Sequence, residues 1–165
     1  MTIVQTDCVG FTEANLQKEF VVRWMWHRQR YKFIVPNCYL DWSDFTEFDL
    51  LCVRKSGFID EIEIKRTVSD FRADFRKSGR FHLSKHEQLK SGNAPANYFS
   101  FLMYEELGAK IEDEIPEHAG LFVLTSTGWV VEKKKAPRLH TKKIGERTML
   151  KLGEKMMSKY WRLVK

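Results

Sequence analysis

The chain has 165 residues, 43% of them hydrophobic and 30% charged, which is the length of one domain with enough apolar material for a core and excludes wholesale disorder. No apolar run approaches the roughly 20 residues of a bilayer span, and residues 1–10 lack the basic start and long apolar middle of a secretory signal, so the expectation is a cytoplasmic protein. The net charge of +6 is unevenly divided: residues 132–165 hold 12 Lys and Arg against 3 acids, leaving 16 against 19 in the rest, and a basic end on a near-neutral body suggests a polyanion partner.

Thr12 can cap a helix over about Glu13–Tyr31, with Leu16, Phe20, Trp24 and His27 at helical spacing. Phe33–Val35 is a short apolar run, strand or loop end, stopped by Pro36-Asn37. Phe48–Val53 suits a buried strand. Lys55-Ser56-Gly57 reads as a turn, and Phe58–Ile64 alternates, so the two runs make a hairpin. Alternation puts Asp60 with Phe58, Ile62 and Ile64, while Ile59, Glu61, Glu63 and Lys65 share the other face, which is solvent or a site. Glu61 reads as an exposed strand-end charge.

Val68–Lys77 is predicted helical, capped by Ser69 or Thr67, with Phe71 and Phe75 four apart. Phe81–Pro95 is polar and basic and contains Gly92-Asn93, so it reads as a loop that can include a helical turn. Tyr98–Met103 is a strand, Glu105–Glu114 a helix ended by Pro116, and Leu121–Thr125 and Trp129–Glu132 a second hairpin. Thr148–Trp161 is a basic C-terminal helix. The plan is α/β, a single mixed sheet flanked by helices. Residues 1–143 form the core domain and 144–165 a basic helix packed on it. Cys8, Cys38 and Cys52 lack the spacing of a disulfide framework or a zinc site and read as free thiols.

Hydrolysing a phosphodiester with a bound divalent ion needs hard oxygen ligands, an activated water and a cation for the charge developing on phosphorus. Asp49 opens the first hairpin strand, and Glu63 and Lys65 lie one alternation apart on the second. Because the start of one antiparallel strand faces the end of its partner, the three residues converge. No other trio is so well organised. No Walker loop, Gly-x-Gly-x-x-Gly, Gly-x-Ser-x-Gly or His-Glu-x-x-His is present, so nucleotide hydrolysis, dinucleotide redox chemistry and zinc peptidase chemistry lose their usual signatures.

Asp49, then Glu63-Ile64-Lys65 fourteen residues later, behind a helix carrying Glu19, resembles the PD-(D/E)xK nuclease superfamily. The run from Glu63 through Arg66-Thr67-Val68-Ser69-Asp70 to Phe75 is similar to its MmcB-like DNA-repair branch. So are Tyr98–Met103, Glu114–Val123 and Trp129–Leu139 with Ala136-Pro137. The superfamily's proline is absent, since Asp49 follows Phe48, and Asp44 and Glu47 add further acids. The resemblance implies a restriction-endonuclease-like fold and a metal-dependent DNA endonuclease, bacterial or phage-encoded, leaving a 5′-phosphate. It implies Mg²⁺ or Mn²⁺ on Asp49, Glu63 and the Ile64 carbonyl, and Glu19 as an outer or second-metal ligand. Lys65 would orient or help deprotonate water, or stabilise phosphate charge.

Arg66, Arg72, Arg76, Lys77, Arg80, Lys85 and Lys90 outnumber the acids around them and can hold the DNA backbone, without any base-reading module. His82 and His86 read as surface or phosphate-contacting residues, and Trp24, Trp26 and Trp42 as core aromatics or base-stacking ones. Opposite-strand cutting would favour a homodimer. The alternatives are a non-catalytic nucleic-acid-binding protein of the same fold, and a protein whose basic helix docks an acidic partner.

Overall fold

The first helix opens on Thr12, whose hydroxyl accepts the Asn15 N–H at 3.3 Å, satisfying one of the orphan donors of a helix N-terminus. A computed structural model of the chain describes residues 12–28, 31–40, 47–76 and 84–164, the side chains of 24–28 excepted. Helix α1 runs over Glu13–Arg28 and is followed by strands β1 (Tyr31–Cys38), β2 (Phe48–Arg54) and β3 (Ile59–Ile64). Helices α2 (Val68–Asp74) and α3 (Lys85–Lys90) lead to β4 (Tyr98–Tyr104). Helix α4 (Glu105–Ile111) and a 3-10 turn at Glu112–Glu114 lead to β5 (Gly120–Leu124), β6 (Val130–Lys134) and α5 (Glu146–Leu163).

The six strands form one sheet in chain order, β1 to β6. The β1–β2, β2–β3 and β5–β6 pairs are antiparallel, whereas β3–β4 and β4–β5 are parallel and need the crossovers that α2, α3 and α4 supply. The fold is therefore α/β with a single mixed sheet flanked by helices.

Each sheet face carries its own apolar layer. Leu16 and Phe20 of α1 cover Leu50, Ile62, Leu102 and Phe122. On the other face, Phe71 of α2, Leu89 of α3, Ile111 of α4 and Leu152 of α5 pack with Leu51, Phe99, Phe101 and Val123. The predicted hairpin turn holds: the Arg54 carbonyl accepts the Gly57 N–H at 2.9 Å, and Gly57 takes φ +85, a conformation open to glycine. At Gly120 the constraint is space, because a Cβ there would lie 2.6 Å from Ser100 Oγ and 2.7 Å from the Ala136 nitrogen.

Two elements exceed the reading of the sequence. β1 continues through Pro36 and Asn37 to Cys38, since an edge strand tolerates a residue without an N–H. A helix, α3, stands in the stretch expected to be a loop that can include a helical turn. Ser84 accepts the Glu87 amide while the Glu87 carboxylate accepts the Ser84 amide, a capping box that starts a six-residue helix too short to show periodicity. Among the described residues no helix is long and apolar enough to cross a membrane.

Candidate active site

β2 and β3 pair with Leu50 opposite Ile62, so Asp49 stands opposite Glu63 at the end of the hairpin. The Asp49 carboxylate accepts the Ile64 N–H at 2.7 Å, and its own carbonyl accepts the Gln17 side-chain amide of α1 at 3.0 Å. Just past β3, Lys65 is anchored by its amide on the Leu102 carbonyl at 3.0 Å, and its ammonium lies 2.8 Å from Glu63 Oε1. Asp49, Glu63 and Lys65 thus meet at one end of the central strands, as the hairpin geometry predicts.

The face of β3 carrying Glu61 and Glu63 is buried rather than open, and it is neutralised from within. Lys85, in the first turn of α3, places Nζ 2.6 Å from both Glu61 and Glu63. Lys65 bridges Glu63 to Asp74 of α2, 2.9 Å away. His86 Nε2 meets the other Asp74 oxygen at 2.9 Å, and its Nδ1 meets His118 Nε2 at 2.9 Å. The His86 ring is fixed by stacking on Phe75, with centroids 4.3 Å apart. Three carboxylates, two ammoniums and two imidazoles form one continuous buried chain (Glu61, Lys85, Glu63, Lys65, Asp74, His86, His118).

Charge states follow from this wiring. Burial alone would discharge Lys65 and Lys85, but the flanking carboxylates outweigh it and hold both well into the ammonium form. Burial likewise opposes ionisation of Glu63 and Asp74. For Glu63, Lys85 and Lys65 outweigh it; for Asp74, the His86 hydrogen bond and the two lysines do, so both are held below the ordinary carboxyl range. Glu61 is pushed up by burial, partly offset by Lys85. Asp49 behaves otherwise. Burial and the facing Glu63 push its carboxyl up to about 7, against the opposing pull of the Ile64 N–H. Among the described residues no cation lies at ion-pair distance from it.

Several sequence expectations need correction. Glu19 does not join the site: α1 covers the opposite sheet face, and Glu19 pairs with Arg23 at 2.8 Å beside Tyr104. The acidic residue of α1 whose charge reaches Asp49 is Glu13. Glu61 is no exposed strand-end charge but is 2% exposed and paired with Lys85. Lys85 belongs to the buried chain, where two carboxylates hold it, rather than to a solvent-facing phosphate surface. His86 is buried between Asp74 and His118, not at the surface. Arg66 and Arg76 are exposed, as is Arg72, whose guanidinium is taken up by Glu114 at 2.6 Å. Lys77, Arg80, His82, Trp42, Asp44 and Cys8 lie outside the described residues, and Glu47 is exposed with Tyr39 as its partner.

The donors at Asp49 and Glu63 suit a small hard divalent cation in kind: two carboxylates, each oxygen with two lone pairs, and the Ile64 carbonyl directly after Glu63 in sequence. A carboxyl pushed up by burial and by the facing Glu63 more than Lys65 pulls it down is a place where a dication would bind favourably. Among the described residues no three Asp, Glu, His or Cys side chains converge as ligands, so most of the coordination would fall to water, as is usual for Mg²⁺.

No family model matches the chain, and no curated protein matches it. Among solved structures it is similar to a protein of unknown function from Silicibacter pomeroyi, with 16% identity and a TM-score of 0.61 over 94% of this chain and 91% of that one, a likeness of fold.

Proposed function

We propose that the chain is a metal-dependent nuclease of restriction-endonuclease-like architecture acting on DNA. The observation that carries this reading is the meeting of Asp49, Glu63 and Lys65 at one sheet end. Asp49 and Glu63 would hold Mg²⁺ or Mn²⁺ with the Ile64 carbonyl. The ion would supply a Lewis acid for the phosphate and a water acidified for attack. Lys65, kept charged by Glu63 and Asp74, serves as a hydrogen-bond donor to water or phosphate, and it is ill suited to removing a proton. Asp74, fixed by His86, sets the direction of the Lys65 ammonium. The exposed Arg66 and Arg76 would meet the backbone of the nucleic acid.

A second reading is a non-catalytic nucleic-acid-binding protein of the same fold. It is favoured by one feature: both Glu63 oxygens already have lysine partners, so the buried chain is complete without a metal. Dependence on metal separates the two. A labelled panel of duplex, single-stranded, flapped and branched DNA is incubated with Mg²⁺, Mn²⁺ or EDTA, using wild type and Glu63→Gln. Cleavage that stops in EDTA and falls on the order of a hundredfold in Glu63→Gln is the expected result. Metal-independent binding with no cutting by wild type would replace the enzyme by the binder.

A further inference from the structure

α5 is amphipathic, yet only Leu152 of its apolar residues is fully buried. At its C-terminal end Tyr160 and Trp161 are 56% and 58% exposed, and their rings meet edge to face with centroids 5.3 Å apart. The adjoining cations are Lys155, Lys159 and Arg162, set against the single acid Glu154 in residues 154–163. Two of these lysines tie the helix to the sheet: Lys155 Nζ donates to the Tyr39 carbonyl and Lys159 Nζ to the Asn37 carbonyl, both at 2.6 Å.

That anchor lies beside the candidate site. Asn37 accepts the Gln17 side-chain amide at 2.6 Å, and the same Gln17 nitrogen donates to the Asp49 carbonyl at 3.0 Å. Cys38 pairs with Phe48, the residue before Asp49. The aromatic end of α5 and the Asp49–Glu63 carboxylates therefore share one end of the sheet.

We propose that the C-terminal turn of α5 is a platform for an unpaired nucleic-acid strand, with Trp161 and Tyr160 stacking on bases and Arg162 on a phosphate. This rests on the nucleic-acid reading above and names its substrate class: DNA with a single-stranded portion. Exposed aromatic rings among cations match a strand whose base faces are open, because stacking needs bases freed from a duplex. Continuity with the carboxylates selects a strand running along this end of the sheet over an anionic membrane or a second copy of the chain. A second copy would also bring like charges together.

The test is fluorescence anisotropy on the full chain in EDTA, so that nothing is cut, with labelled oligo-dT of about 15 nucleotides and a hairpin duplex. Trp161→Ala should weaken oligo-dT binding about tenfold and duplex binding hardly at all, while Trp161→Phe keeps most of the affinity. Arg162→Ala should lower the salt slope by about one. Oligo-dT bound equally by Trp161→Ala and wild type would overturn the platform while leaving the nuclease reading intact. So would a loss on Trp161→Ala confined to anionic vesicles or to self-association by sedimentation. Wild type that binds neither DNA would remove the nucleic-acid reading itself.

Discussion

Lys65 has two carboxylate partners and almost no contact with water, so removing its charge leaves one buried oxygen of Glu63 and one of Asp74 without their cation, with only Lys85 and His86 holding the others. Stranding a buried charge is far more costly than losing a surface pair. Lys65→Met is therefore expected to lower stability by about 3–5 kcal/mol in urea denaturation, whereas exposed Arg72→Ala, which breaks only the pair with Glu114, should leave the denaturation midpoint nearly unchanged. His118 supplies a pH signature. Burial, then the neighbouring His86, pushes its imidazole down to about 4, below the ordinary value of 6.5. The unfolded chain thus takes up a proton that the folded one refuses. The His118 contribution to stability is full above about pH 6.5 and is lost as the pH drops toward about 4. Urea melts at pH 7.5 and 4.5 should show this loss in wild type and a smaller one in His118→Gln. Asp49, Glu63 and Lys65 were legible from sequence because pairing and alternation within one hairpin place them. Asp74, His86 and His118 were not, because they arrive from crossovers whose approach to β3 is a tertiary matter.

At the scale of elements, α3 decides whether the buried face of β3 is neutralised, since it delivers both Lys85 and His86. Its start depends on the Ser84–Glu87 box, a Ser-x-x-Glu pattern present in the sequence but followed by no apolar periodicity that would mark a helix. Ser84→Ala should cost about 1 kcal/mol, read by thermal melting. Gly120→Ala is expected to be worse, because the Cβ would meet main-chain atoms that cannot turn aside. The two hairpins and the long helices followed from turn residues and periodicity. The sequence does not place Glu19, because a helix stripe does not say which face of the sheet it covers, and α1 lies on the Leu50–Ile62 face with Glu19 paired to Arg23.

For the whole molecule, the division of charge read from composition has a structural counterpart in α5, a basic helix laid against the edge strand β1. The segment before it is woven into the body: the Lys142 carbonyl accepts the Asn97 side-chain amide at 2.7 Å and the Ile144 amide donates to Gly57 at 2.9 Å. Removing residues 142–165 would therefore disturb the core.

The proposed nuclease depends on a divalent ion held by Asp49 and Glu63. Asp49→Asn tests it cleanly. With its carboxyl raised to about 7, Asp49 contributes stability below about pH 4 that is lost as the pH rises through 7, so at pH 8 the variant should be at least as stable as wild type. The measurement is single-turnover cleavage of labelled DNA at pH 8 with Mg²⁺ and with EDTA. Mg²⁺-dependent cutting by wild type is expected, with a rate at least about a hundredfold lower in Asp49→Asn and DNA binding retained. Equal rates in the two proteins, or no cutting of any DNA by wild type, would contradict it.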